Sequence, residues 1–273
     1  MKLSISTLAC PDWPLEQIVS FAAGSGVGGI EFRGLQKEID VTRLLAFSVS
    51  LEKTLALLRG AGLSMPCLDS SVTLLAPAGP AWEGMIDECH RHARLAGAAG
   101  TPFLRIFGGK PPAGLAEGEA IALARRRLRQ IVKICRPHHC TPLIATHDDW
   151  STAAGVLELL DGFDCGDAAV LWDMEHSFRR GESPDDTVRA LGDFLAHVHI
   201  KDSVQFGRRS RPTLLGRGDL PLDDCLRALR ESGYDGWITL ATEKRWYAEA
   251  PEPDQSIPHF TAFLRQRAGS VAS

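Results

Sequence analysis

The chain has 273 residues, 44% hydrophobic and 23% charged, with 30 basic against 34 acidic side chains and a net charge of -4. That length fits one α/β barrel of about 250 residues, and the composition is that of a globular chain able to bury a large core. The scattered charge offers no strip for phosphate backbones, which argues against nucleic acid. No apolar run approaches the roughly 18 residues of a membrane span, and the N-terminal MKLSISTLACPDW lacks a secretory apolar stretch, so the expectation is a cytoplasmic chain without a membrane partner.

In chain order, short β-rich runs alternate with helical segments, which predicts βαβ units around a parallel sheet. The predicted strands are Leu3–Ser6, Gly29–Arg33, Ser64–Asp69, Phe103–Phe107, Leu143–His147, Ala169–Asp173, Ala196–Ile200 and Trp237–Ala241. Eight such units make a (β/α)8 TIM barrel, read as a single domain over 1–273 with the last few residues disordered. GSGVGG, from Gly24 to Gly29, precedes the second strand instead of following one, so it reads as a helix-to-strand turn and not as a phosphate loop. The third helix runs through Trp82–Ala98, with Met85, Cys89, His92 and Ala96 at three- and four-residue steps. The segment Leu222–Ser232 opens on acids, ends on arginine and stops at Gly233.

Seven cysteines, widely spread, read as reduced thiols. CRPHHC, with Cys135 and Cys140 flanking His138 and His139, has a ligand-like composition but no common zinc spacing, and reads as a helix end. Two loops exceed what connection requires, Gly108–Glu117 and Asp202–Pro221, and both follow strands, where barrels keep their chemistry. The second is basic and glycine-bearing, suited either to closing over an anionic or hydroxyl-rich ligand or to being a solvated surface loop.

Residues two apart share a strand face. If His147 points inward, so do Ala145 and Leu143; Leu171 shares a face with Asp173, His197 and His199 with Lys201, and Thr239 and Ala241 with Glu243. The polar ring that results is His147, Asp173, His176, His199, Lys201 and Glu243, at the ends of strands five to eight. A buried carboxylate without a partner is costly, which favours function for Asp173 with His199. His197, the deepest, reads as a core histidine.

At these residues the sequence resembles the xylose-isomerase-like TIM barrel family. The carriers are GGIEFRG, LRIFGG, ATHDDW, LWDMEHSF, HVHIKD, LGRGDLPL and GYDGWITLATEKRW, spread over nearly the whole chain. The resemblance implies a sugar isomerase or epimerase holding one divalent metal (manganese, magnesium or zinc) by glutamate, aspartate, histidine and glutamate from four successive strand ends. The aspartate falls on Asp173 and the histidine on His199, while His176 matches a substrate-binding histidine. The two glutamates, which also move the proton beside the substrate carbonyl, fall on Ala145 and Ala241. Two methyl groups remove half the ligands and both proton-moving groups. Three explanations stay open: the metal was abandoned, the chain was disabled by substitution, or neighbours took over, with His147, Asp173, His199 and Glu243 forming a site about 6 to 7 Å further along the strands.

The functional expectation is proton transfer next to the carbonyl of a small polyhydroxylated compound. The candidate catalytic residues are His147, His176, Lys201 and Glu243; the candidate substrate-binding residues are Glu31, Arg105, His176 and Arg217; Asp173 and His199 are the residual metal ligands. Lys201 or a loop arginine (Arg208, Arg209 or Arg217) would stabilise the enediolate. The alternatives are a metal-free carbohydrate-binding relative without turnover and a dehydratase of the same fold. The expected partner is a small sugar or sugar-like molecule, with a homodimer as an open expectation.

Overall fold

The computed structural model describes residues 1–207 and 209–269. Arg208 and the four terminal residues expected to be disordered lie outside the described residues. Its strands are β1 (Lys2–Ser6), β2 (Gly29–Glu31), β3 (Cys67–Thr73), β4 (Phe103–Phe107), β5 (Thr141–Ala145), β6 (Ala169–Asp173), β7 (Leu195–Ile200), β8 (Asp202–Phe206), β9 (Arg209–Thr213) and β10 (Trp237–Leu240). The helices are α1 (Leu15–Ser25), α2 (Leu51–Gly60), α3 (Pro80–Ala99), α4 (Glu117–Cys135), α5 (Ala153–Leu160), α6 (Met174–Arg179), α7 (Pro184–Leu191), α8 (Leu222–Glu231) and α9 (Pro253–Gly269). Eight strands form one sheet in the order β2-β1-β10-β7-β6-β5-β4-β3. Strand–helix alternation with parallel pairing, as in Lys2 opposite Trp237 and Phe103 opposite Thr141, is the (β/α)8 TIM barrel expected from the sequence. Among the described residues no helix is long and apolar enough to cross a membrane.

By mutual contact the chain divides into two units, interleaved in sequence. The first comprises Met1–Pro66, His199–Leu226 and Asp235–Ser273. Its apolar interior includes Ile5, Ile30, Phe32, Ile238 and Phe260, all fully buried. Helix α1 ends on Gly26 in the left-handed region, φ 78°, whose N–H caps the Ala22 and Ala23 carbonyls. The GSGVGG run is thus a helix-to-strand turn, as read.

The second unit comprises Cys67–Val198 and Arg227–Tyr234. Cys67, Leu143, Ala145, Ala169 and Leu171 form a buried cluster there, with Phe103, Phe107 and Ala196 packed against it. The inward set read for strands five and six is therefore correct for Leu143, Ala145 and Leu171. Trp172 sits on the other face and donates its indole N–H to Ser177 Oγ at 2.7 Å. Helix α4 buries Ala120, Ala124, Leu128, Ile131 and Cys135 at three- and four-residue spacing.

Several strand boundaries differ from the sequence reading, most by one or two residues. The third strand starts at Cys67, because Pro66 has no N–H to donate and leaves Ser64 with only a bridge to Gly29. The fifth strand stops at Ala145: Asp148, at φ 53°, turns the chain into the 3-10 turn Asp148–Trp150. The segment Asp202–Pro221 opens with a hairpin, β8 pairing antiparallel with β9. CRPHHC is the end of α4 followed by the 3-10 turn Arg136–His138.

Candidate functional site

Each unit carries its own polar constellation, and the two are built differently. In the first unit, the end of β2 places Glu31 in the interior with no solvent exposure. Its Oε1 is 2.6 Å from His199 Nε2, and its Oε2 accepts from Thr239 Oγ1 at 3.2 Å. Thr239 in turn shares a 2.7 Å hydrogen bond with Ser4 Oγ. Parallel pairing of β1 with β10, Ser4 opposite Thr239, fixes this chain of contacts. A carboxylate removed from water requires such partners, since an unmatched buried charge is strongly unfavourable. Further along, Lys201 Nζ lies 3.1 Å from Glu243 Oε1, with the lysine buried and the glutamate half-buried.

In the second unit, Asp173 ends β6 and caps α6: its Oδ1 accepts from the Glu175 N–H at 3.1 Å. Its Oδ2 lies 3.8 Å from His176 Nε2, one helical turn on. The His176 ring stands 4.1 Å from that of His147, edge to face, and His147 lies 4.9 Å from the Phe107 ring. His147 Nδ1 is 3.1 Å from Asp148 Oδ1. The close contact with His147 holds the Asp148 carboxyl below the usual carboxylate range, against the opposing effect of its burial. Asp148 also adopts the left-handed backbone region, which aspartate tolerates better than most residues and which is common beside working sites. The side chains of His147 and His176 are 32% and 29% exposed, so solvent or a ligand reaches both.

Arg105, on β4, is 4% exposed; its Nε lies 3.2 Å from Asp69 Oδ1 and its Nη1 donates to the Ser70 carbonyl at 2.9 Å. Its guanidinium also covers the Phe107 ring at 4.0 Å. Arg217 is exposed in the segment after the hairpin. His197 is fully buried, edge-on to Phe103 at 6.4 Å, in keeping with a core histidine. Asp148 and Asp69, which contact His147 and Arg105, escaped the sequence reading. For Asp148 the signal was present, since it follows His147 directly in ATHDDW.

The residues at the four positions that the resemblance assigns to a metal do not fit a four-ligand centre. Ala145 and Ala241 bring methyl groups, each 4% exposed, and His199 Nε2 is already engaged by Glu31. Groups suited to proton exchange are the two accessible imidazoles of the second unit.

Comparison with known proteins agrees with this architecture. The hydroxypyruvate isomerase of Escherichia coli is 24% identical over 152 residues, 53% of this chain and 57% of that protein. A Streptomyces coelicolor protein is 37% identical over 75 residues, 28% of this chain and 25% of its own length. This chain thus matches less than two thirds of either relative. Among solved structures, the probable 3-DHS dehydratase AsbF of Bacillus anthracis superposes with a TM-score of 0.81 at 22% identity, over 97% of this chain and 99% of that one. The zinc-bound IOLI protein gives a TM-score of 0.83 at 15% identity, over 100% of both chains. D-allulose 3-epimerase of Methylomonas sp., in complex with D-allulose, gives 0.77 at 19% identity, over 98% and 97%. At these identities the structural likeness establishes the fold alone. The sequence profile described as "Xylose isomerase-like TIM barrel" matches residues 19–267, and the chain belongs to that family.

Proposed function

We propose that this protein is an isomerase- or epimerase-like enzyme that moves a proton beside the carbonyl of a small polyhydroxylated compound, with His147 and His176 as the proton-handling groups. One observation carries the reading: two partly exposed imidazoles stand 4.1 Å apart, each beside a carboxylate, Asp148 for His147 and Asp173 for His176. A carboxylate orients an imidazole and stabilises its protonated form, so the ring can take a proton from carbon and return it to the neighbouring carbon or the opposite face. The names of relatives supply the substrate class, a hydroxypyruvate isomerase and a D-allulose 3-epimerase. The reaction needs no external oxidant or reductant, because one proton leaves carbon and one returns to carbon, and on the imidazole it exchanges with solvent in between.

The test is deuterium incorporation at substrate carbon in deuterated water, followed by NMR with hydroxypyruvate and D-allulose. Exchange by the intact protein is expected, with a fall of about 10²-fold or more in His147→Asn, the size typical of a lost general base. Unchanged exchange in both His147→Asn and His176→Asn would remove the assignment. The methyl groups at Ala145 and Ala241 favour a second reading, a carbohydrate-binding relative without turnover. Calorimetric binding of D-allulose without deuterium incorporation is its signature. A dehydratase would start with the same proton abstraction and then release water, which the same spectra distinguish by the new alkene signal.

A further inference from the structure

The β8–β9 hairpin in the first unit lies outside the chemistry proposed above. Its register sets Val204 opposite Arg211 and Phe206 opposite Arg209. Directly opposed residues share a sheet face, so an apolar pair and a cationic pair occupy one side of the ribbon. That side lines a cleft of about 930 Å³, walled further by Trp246 and Tyr247 and reached by Arg217. Phe206 is 82% and Trp246 57% exposed, unusual for rings of that size, and they face the same opening.

The cleft is held in place by other groups. Asp202, 2% exposed, accepts from the N–H groups of Gly216 at 2.8 Å, Gly218 at 2.9 Å and Leu220 at 3.3 Å, which folds the chain back and presents Arg217. A side chain at Gly218 would collide with Asp202 and the Ser203 carbonyl, so glycine is required there. Arg245 stacks on Trp246 at 5.4 Å while its Nη2 donates to the Lys37 carbonyl at 3.0 Å, which restrains the ring.

Several arginines among the described residues are ion-paired, as in Arg43 with Asp40, Arg227 with Asp185 and Arg267 with Asp223. Among the described residues, the guanidiniums of Arg209, Arg211 and Arg217 have neither an ion pair nor a hydrogen bond. Glu249 is the acid among the cleft residues, against three cations. In a protein of net charge -4, three unmatched guanidiniums beside aromatic walls point to an anionic ligand with an apolar or C–H-rich body. Guanidinium forks match the oxygens of a phosphate in bidentate fashion. We propose that this cleft binds the phosphate group of a small phosphorylated polyol, with the carbon chain packed on Trp246 and Tyr247.

Titration calorimetry of the full chain tests this without turnover, so it stands or falls apart from deuterium exchange. The probes are inorganic phosphate, glucose 6-phosphate, glucose and glucuronate. Glucose 6-phosphate is expected to bind, glucose not, and binding should weaken with added salt. Arg209→Ala with Arg211→Ala should weaken glucose 6-phosphate about tenfold or more, and Arg217→Ala likewise, since charge-assisted hydrogen bonds of this kind are worth that much. All three side chains are exposed, and a thermal melt confirms that the variants fold. Failure of glucose 6-phosphate to bind the intact chain overturns the proposal. So does binding that is unchanged in the double variant, or glucuronate binding as tightly as the phosphate ester.

Discussion

The two units use similar residues to opposite ends. In the first, Glu31 and His199 form a closed network: the carboxylate is fully buried, and both its oxygens are engaged, by the imidazole and by Thr239. In the second, His176 and His147 stand beside Asp173 and Asp148 with roughly a third of each imidazole exposed. The same acid–imidazole pairing is closed off where water is excluded and open to solvent where water enters. Burial decides which, because the energy of a charge change is large in a dry site and modest in a wet one.

The largest expected effect lies in the closed network. Glu31→Ala leaves His199 and Thr239 facing a vacated polar space, and should lower the unfolding free energy by about 3 to 5 kcal/mol, the usual result of breaking a buried pair. Urea titration measures it, and a loss below about 1 kcal/mol would mean the network is not a closed one. Next is Ala145→Glu in the second unit. Its methyl group is seated among Leu143, Cys67, Ala169 and Leu171, so a carboxylate there should cost about 2 to 4 kcal/mol through overpacking and burial of an unmatched charge. A variant as stable as the parent would show that the position opens to solvent. Thr239→Val, which removes the hydroxyl between Ser4 and Glu31, should cost about 1 to 2 kcal/mol; no change in midpoint would show that the hydroxyl is dispensable.

The barrel was legible because period-two and helical patterns alternate without interruption, and Ala145 with Leu171 fell on the inward face as alternation requires. The third strand was drawn early because apolar content alone extends it through Pro66, where the missing N–H interrupts the ladder. The hairpin was missed although Val204 and Phe206 alternate with polar residues and Gly207, at φ 59°, follows the first strand of the ribbon. Arginine-rich strands containing Pro212 look like a solvated loop, and only an edge ribbon tolerates them. The individual polar residues of the two constellations were legible, as His147, Asp173, His176 and His199. Their partners were not, since Glu31 and His199 are separated by 168 positions and no local pattern links them.

The smallest effect separates the open pair from the closed one most cleanly. Asp148 is held below its ordinary pKa in the fold, chiefly by its close contact with His147. A carboxyl with a depressed folded value stabilises the protein above its unfolded value, about 3.9, and loses that contribution as pH falls through the folded value. Asp148→Asn should therefore lower the unfolding free energy at pH 7 by less than about 1 kcal/mol, as for other solvent-accessible pairs, and the deficit should be smaller at an acid pH below the folded value. Asparagine accepts the left-handed backbone that this position requires, φ 53°, so the substitution tests charge and not strain. An equal deficit at both pH values would place the effect in packing, and the contrast between a wet and a dry acid–imidazole pair would lose its electrostatic basis.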